Sequence, residues 1–128
     1  MATTNTPTAS VGMVSIDAPD ASVLARFYAQ LLDLEVKYEG EGYAMIGREG
    51  TTSLGFGTDP SFSPPSWPDD GHKQFHLDIA ATDPSATVAA ALELGATRPD
   101  HQPGDDRWTV LLDPAGHPFC VTDAANWG

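Results

Sequence analysis

Basic residues are scarce in this chain: six Lys and Arg stand against eighteen Asp and Glu in 128 residues, for a formal net charge of −12. A surface so short of cations cannot neutralise phosphates, which excludes a nucleic-acid partner, and it repels anionic bilayers as well. No apolar run approaches the ~20 residues that span a membrane, so no membrane role is expected. A single cysteine, Cys120, excludes an intrachain disulfide. Residues 1–10 are rich in Thr and Ala and lack both a basic start and an apolar stretch. They read as a disordered tail and not as a secretory signal. These absences together point to the cytoplasm. Also missing are a P-loop, a dinucleotide-binding glycine fingerprint and a Ser-His-Asp motif. What is present is a 41% hydrophobic content, near the globular norm and sufficient for one core. The expectation is one domain over residues 11–124 with a short tail at 125–128.

Residues 11–18 alternate loosely and predict a strand. Asp20 suits an N-cap. Beyond it Val23, Leu24, Phe27, Tyr28, Leu31 and Leu32 recur at three- and four-residue spacing, the mark of an amphipathic helix over residues 21–32. Three short strands follow at 34–38, 42–47 and 52–57, separated by glycines and charges. Residues 58–74 carry Pro60, Pro64, Pro65 and Pro68 and read as a loop. Residues 75–81 alternate around His76 and Asp78 and predict a strand. Asp83 and Pro84 open a second helix, Ala-rich over 87–94, and Gly95 suits its end. Closing strands are expected at 96–98, 108–112 and 118–122.

The order is β-α-β-β-β, a loop, then β-α-β-β-β, and it reads as a duplication. Laying Asp20 over Asp83 brings Met13 over His76. The segment Tyr43-Ala44-Met45-Ile46 then falls over Trp108-Thr109-Val110-Leu111, and Leu54-Gly55-Phe56 over Phe119-Cys120-Val121. Each unit alone would expose one sheet face. Two units together cover those faces and leave a cavity. The expected architecture is α+β: two tandem βαβββ modules (residues 11–57 and 75–124, joined by the 58–74 loop) forming a curved mixed sheet around a shared cleft.

Within that cleft, strand parity sets His76 and Asp78 on one face and Met13 and Ser15 on one face of the corresponding strand. Ser15, His76 and Asp78 therefore make a candidate polar cluster, with His76 able to accept a proton. Trp67 in its proline-rich loop is a candidate cap over the cleft. Met45, Phe56, Trp108 and Phe119 are candidate apolar lining, with core filling the competing reading for each. Cys120 reads as a buried inert thiol, His117 as structural, and His72 and His101 as solvated loop residues.

Four segments give the chain a likeness to a known superfamily: residues 20–34 (DASVLARFYAQLLDL), Pro65-Ser66-Trp67-Pro68, Phe75-His76-Leu77-Asp78, and 113–120 (DPAGHPFC). In these it resembles the vicinal oxygen chelate superfamily, which includes glyoxalase I, extradiol dioxygenases and bleomycin-resistance proteins, and is most similar to small glyoxalase-like proteins. The resemblance implies paired βαβββ modules. It also implies a divalent metal at four positions, which here read Met13, Gly55, His76 and Cys120. Glycine has no donor and the methionine thioether is soft, so this set is poor for zinc and for hard cations. The expectation is therefore no metal and no cofactor, a divalent ion being disfavoured. Candidate ligand-binding residues are Met13, Ser15, Met45, Phe56, Trp67, His76, Asp78, Trp108 and Cys120, with His76 the candidate catalytic group. Two functions compete: binding of a small apolar or aromatic molecule between the modules, and a lyase, isomerase or dioxygenase-like activity using His76, with or without a divalent metal. A homodimer is the expected assembly, with a small-molecule ligand as the partner.

Overall fold

Asp20 and Asp83 both start helices in the computed structural model, which describes residues 11–68 and 76–127. The expected tail at 1–10, the stretch 69–75 with His72 and Phe75, and Gly128 lie outside the described residues. The Asp20 carboxylate accepts hydrogen bonds from the Ser22 and Val23 amides at 3.0 and 3.4 Å, and Asp83 accepts one from Ala86 at 3.1 Å. These bonds satisfy amides that no helical carbonyl can reach. Helix α1 (Ala21–Leu32) buries Ala21, Leu24, Ala25, Phe27 and Tyr28 along one stripe. Helix α2 (Pro84–Glu93) has Pro84 in its first turn and buries the smaller Val88 and Ala91.

Around α1 the first module forms β1 (Met13–Ala18), β2 (Glu35–Gly40), β3 (Tyr43–Gly47) and β4 (Ser53–Thr58), in the sheet order β1-β4-β3-β2. The second module forms β5 (Leu77–Ala81), β6 (Trp108–Leu112) and β7 (Pro118–Asp123), in the order β5-β7-β6. The two orders correspond, and so do the registers. Ser15 pairs with Gly55 and Gly55 with Met45; Asp78 pairs with Cys120 and Cys120 with Val110. The duplication read from Asp20 and Asp83 thus holds down to residue rows. The sheet is not continuous, however: among the described residues the strands form two separate sheets, with β1 and β5 at their edges.

Two expected elements differ. The strand at 96–98 is a single bridge between Thr97 and Leu112, closed by reciprocal backbone bonds of 2.9 and 2.8 Å. Pro99 follows immediately and has no N–H to extend the ladder. Gln102 substitutes for the missing strand, its amide bonding both the N–H and the C=O of Val110 at 2.9 Å. At the other end, Ala124–Trp127 form a 3-10 turn where a tail was expected from 125.

The core lies between helices and sheets and is shared by the modules. Phe56 stacks on Tyr28 with ring centroids 5.8 Å apart, while Phe119 meets Phe27 and Tyr28 edge-on at 6.0 and 5.9 Å. Each such ring contributes ~1.5–3 kcal/mol by burial. One buried polar contact crosses the junction: the Tyr28 hydroxyl donates to Asp113 Oδ2 at 2.6 Å. The other carboxylate oxygen accepts the amides of Ala115 and His117 at 2.9 and 3.0 Å, which fixes the turn between β6 and β7.

That turn requires Gly116, whose φ is +92° and whose hypothetical Cβ would lie 2.7 Å from Pro64 Cβ. Gly116→Ala is expected to cost about 2 kcal/mol, from left-handed backbone strain plus the clash. Gly42 at φ +75° has open space around it, so Gly42→Ala should lose only about 1 kcal/mol. Denaturant melts of both variants check this. Equal losses would mean that Pro64 does not pack on the turn.

Candidate functional site

Among the described residues the two edge strands β1 and β5 do not pair, and a cavity of about 720 Å³ lies beside them. Val14, Ser15, Ile16 and Asp17 line it from β1, His76 and Leu77 from the start of β5, and His117 and Pro118 from the turn before β7. Tyr28 contributes from α1, and Asp59, Ser61, Phe62 and Ser63 from the segment after β4. Both modules therefore supply walls, and the volume lies inside the ~300–1,000 Å³ range of small-molecule sites.

Backbone polarity adds to this wall. Ser53 N–H donates to Gly12 O at 3.3 Å and Asp59 N–H to Ala18 O at 2.9 Å, so even-numbered residues of β1 bond toward β4. In a parallel pair the alternate residues direct their amides and carbonyls the other way. Met13, Ser15 and Asp17 accordingly turn backbone N–H and C=O toward the free edge. The Asp17 carbonyl is already engaged, with His117 Nε2 at 2.6 Å. Phe62 packs against the same imidazole, ring centroids 5.2 Å apart, which fixes the segment after β4 to the turn before β7.

Among the sequence candidates, Ser15 and His76 come together as lining of this cavity. Asp78 lies beside His76, its Oδ1 3.2 Å from His76 Nε2. Cys120 is buried next to Asp78 in register. Met13 lies across Gly55 on the open sheet face, where its sulfur accepts a hydrogen bond from the Tyr43 hydroxyl at 3.1 Å. Met45 shares that face by its pairing with Gly55 and is half-buried. Phe56 is a correction to the lining set. It is fully buried in the core against Tyr28, because alternation along β4 sends Gly55 and Gly57 to the open face and Phe56 to the helix side. Phe119, alternately read as lining or core, is also core. Trp67 packs on His101 at 5.6 Å, and Trp108 lies over Gly104 with the Arg107 guanidinium 4.7 Å from its ring. Neither indole lines the cavity. His101, expected to be solvated, is exposed while making this contact.

Apart from Ser15 and His76, sequence reading missed the cavity residues, among them Tyr28, Asp59, Phe62, His117 and Pro118. His117 and Pro118 carried a usable signal, since both follow the same Asp-Pro-Ala-Gly turn that marks the superfamily likeness. Tyr28 appeared simply as one more apolar position of α1. Its burial raises its pKa, and the Asp113 charge beside it acts in the same direction. Burial likewise raises the Asp113 carboxyl, opposed first by the Tyr28 hydrogen bond.

The four superfamily metal positions do not make a four-ligand metal centre in this chain. Gly55 has no donor atom, and a Cβ there would meet Met13 Sδ at 2.5 Å and the Tyr43 hydroxyl at 3.2 Å. Thioether and phenol occupy the space that a carboxylate ligand would need. Two of the four donors are therefore lost, both from the first module.

The likeness seen in the motifs extends over the fold. The glyoxalase-like domain family matches residues 13–122. Among solved structures, a glyoxalase/bleomycin resistance protein/dioxygenase family enzyme from Burkholderia phytofirmans is 19% identical with a TM-score of 0.67, covering 91% of this chain and 99% of its own. Glyoxalase I of Leishmania major, a trypanothione-dependent enzyme, is 16% identical with a TM-score of 0.67, over 94% of this chain and 90% of its own. A bleomycin resistance determinant encoded on transposon Tn5 is 17% identical with a TM-score of 0.56, over 92% and 98%. No curated protein matches. At these identities the structures establish the fold alone. Among the described residues no helix is long and apolar enough to cross a membrane. By its family match and its paired modules, the chain belongs to the glyoxalase-like domain family of the vicinal oxygen chelate superfamily.

Proposed function

We propose that this protein binds a small apolar or aromatic molecule in the cavity between its modules, without the four-ligand metal centre of the superfamily. One observation carries the reading: both modules wall a single ligand-sized cavity that combines apolar side chains with a few polar groups. Val14, Ile16, Phe62, Leu77 and Pro118 supply the apolar surface, and Ser15 and His76 supply side-chain hydrogen bonds. The outward backbone groups of Ser15 add a donor and an acceptor. A bleomycin resistance determinant shares this fold, which agrees with this reading. A homodimer joined through the exposed edge strand β2, where Val36 and Tyr38 face solvent, completes it. The site of action remains the cytoplasm, in keeping with the acidic composition and the lone cysteine.

A library of aromatic and amphipathic fragments tests the proposal by thermal shift. A ligand at a hundred times its Kd should stabilise the fold by about 2.7 kcal/mol. A library that leaves the melting temperature unmoved at millimolar concentrations overturns the proposal.

A second reading has its own support. The Asp78 carboxylate lies 3.2 Å from His76 Nε2, an arrangement that orients an imidazole. His76 would then be a general base toward a molecule in the cavity, acting as a lyase or isomerase. Mass spectrometry of a stabilising fragment after prolonged incubation separates the two: recovery unchanged supports binding, and conversion that stops in His76→Ala supports catalysis.

A further inference from the structure

Counting donors at the four superfamily positions leaves only His76 and Cys120, but strand geometry adds a third group on the same face. His76 and Asp78 are two residues apart, so they share a face of the strand. Asp78 and Cys120 are register partners in the parallel pair β5–β7, so they are side by side on it. A nitrogen of His76, a carboxylate oxygen of Asp78 and the sulfur of Cys120 all lie within 4.8 Å of one another. We propose that these three residues hold one zinc ion within the second module alone. The set shares His76 and Cys120 with the four-position centre, but takes Asp78 in place of Met13 and Gly55 and so draws nothing from the first module.

The chemistry selects the ion. A thiolate disfavours magnesium and calcium, which take oxygen ligands, while imidazole, carboxylate and thiolate together suit zinc. Zinc bonds of ~2.0 Å to N or O and ~2.3 Å to S put tetrahedral donors roughly 3.5 Å apart. His76 Nε2 and Asp78 Oδ1 are already at 3.2 Å. Modest side-chain rotation closes the remaining spread. The sulfur is buried, whereas the side chains of His76 and Asp78 retain 32% and 40% exposure, so the fourth position opens toward solvent. Three protein donors plus an open position is the donor count of a catalytic zinc site, here with the thiol proton released to solvent on binding. His76 lies on the cavity wall, which sets the ion at the cavity margin. This site does not depend on the organic-ligand proposal.

The test uses the full untagged chain, stripped with chelator and titrated with Co²⁺, then with Zn²⁺ in competition. One cobalt per chain is expected, with a near-ultraviolet thiolate charge-transfer band and visible bands of a four-coordinate ion, both lost on adding zinc. Cys120→Ser should lose the charge-transfer band. Because Cys120 is buried, Asp78→Asn at a solvent-exposed position is the second variant. It should lose stoichiometric binding while keeping the wild-type circular dichroism spectrum. Met13→Leu should bind as wild type does. Absence of the thiolate band, binding unchanged in Asp78→Asn, or binding abolished in Met13→Leu would each overturn the site. A chain that binds fragments but no cobalt retains the cavity proposal and loses this one.

Discussion

Asp113→Ala is expected to lower the unfolding free energy by about 3 kcal/mol at neutral pH, a large share of a small domain's stability. The variant leaves the buried Tyr28 hydroxyl and the amides of Ala115 and His117 without their acceptor. Tyr28→Phe should cost about 2 kcal/mol, because it removes one hydrogen bond to a charged group and keeps the ring. Tm should fall by several degrees in each. The double variant should lose less than the sum, since both changes break the same bond.

The pH dependence distinguishes the two variants. Burial raises the Asp113 carboxyl above its ordinary value of 3.8. A raised carboxyl contributes stability that is fully present below its unfolded pKa and is lost as pH rises through the folded pKa. Asp113→Ala removes that contribution, so its deficit should widen as pH falls toward 3.8. The Tyr28 hydrogen bond favours the ionised carboxylate, so Tyr28→Phe raises the carboxyl further and its deficit should narrow in the same direction. Urea titrations of the three variants and wild type across pH 4 to 7 read both trends. Parallel curves for the two single variants would refute the coupling.

Ser15→Trp should weaken any fragment that binds the cavity by at least roughly 100-fold, equivalent to ~2.7 kcal/mol. Ser15 is exposed on the wall, so the indole can occupy ligand volume without overpacking the core. Surface substitutions of this kind usually change stability by only ~0.5 kcal/mol. Val23→Ser, at an exposed position on α1 away from the cavity lining, serves as the control. It should leave affinity unchanged. A fragment that binds Ser15→Trp as tightly as wild type sits somewhere else.

Much of the fold was legible because its signals are local and repeated. The helix caps at Asp20 and Asp83 and the apolar stripe of α1 each depend on a few neighbouring residues. The duplication then related distant rows, down to Gly55 and Cys120 at equivalent places. The site was less legible because it depends on which strands fail to meet. Periodicity assigns Ser15 and His76 to open faces, but cannot say that β1 and β5 leave a gap between their edges. Nor can it say that the segment after β4 turns inward, with Phe62 reaching His117. Phe56 shows the converse difficulty: an aromatic residue in a glycine-flanked strand suits a pocket wall and a core equally well, and only its parity with Ala44 and Ile16 decides. The zinc trio was partly visible in sequence, where His76 and Asp78 share a face, but Cys120 joins them only through the register of β5 against β7.

The proposed ligand lies between β1 and the start of β5. Chemical-shift mapping on ¹⁵N-labelled protein with the best fragment tests that position directly. The largest amide shifts are expected at Ser15, Ile16, Asp17, Leu77 and His117, with Lys37 and Tyr38 on β2 unmoved. Shifts centred on β2 or α2, with the β1 edge unchanged, would contradict it.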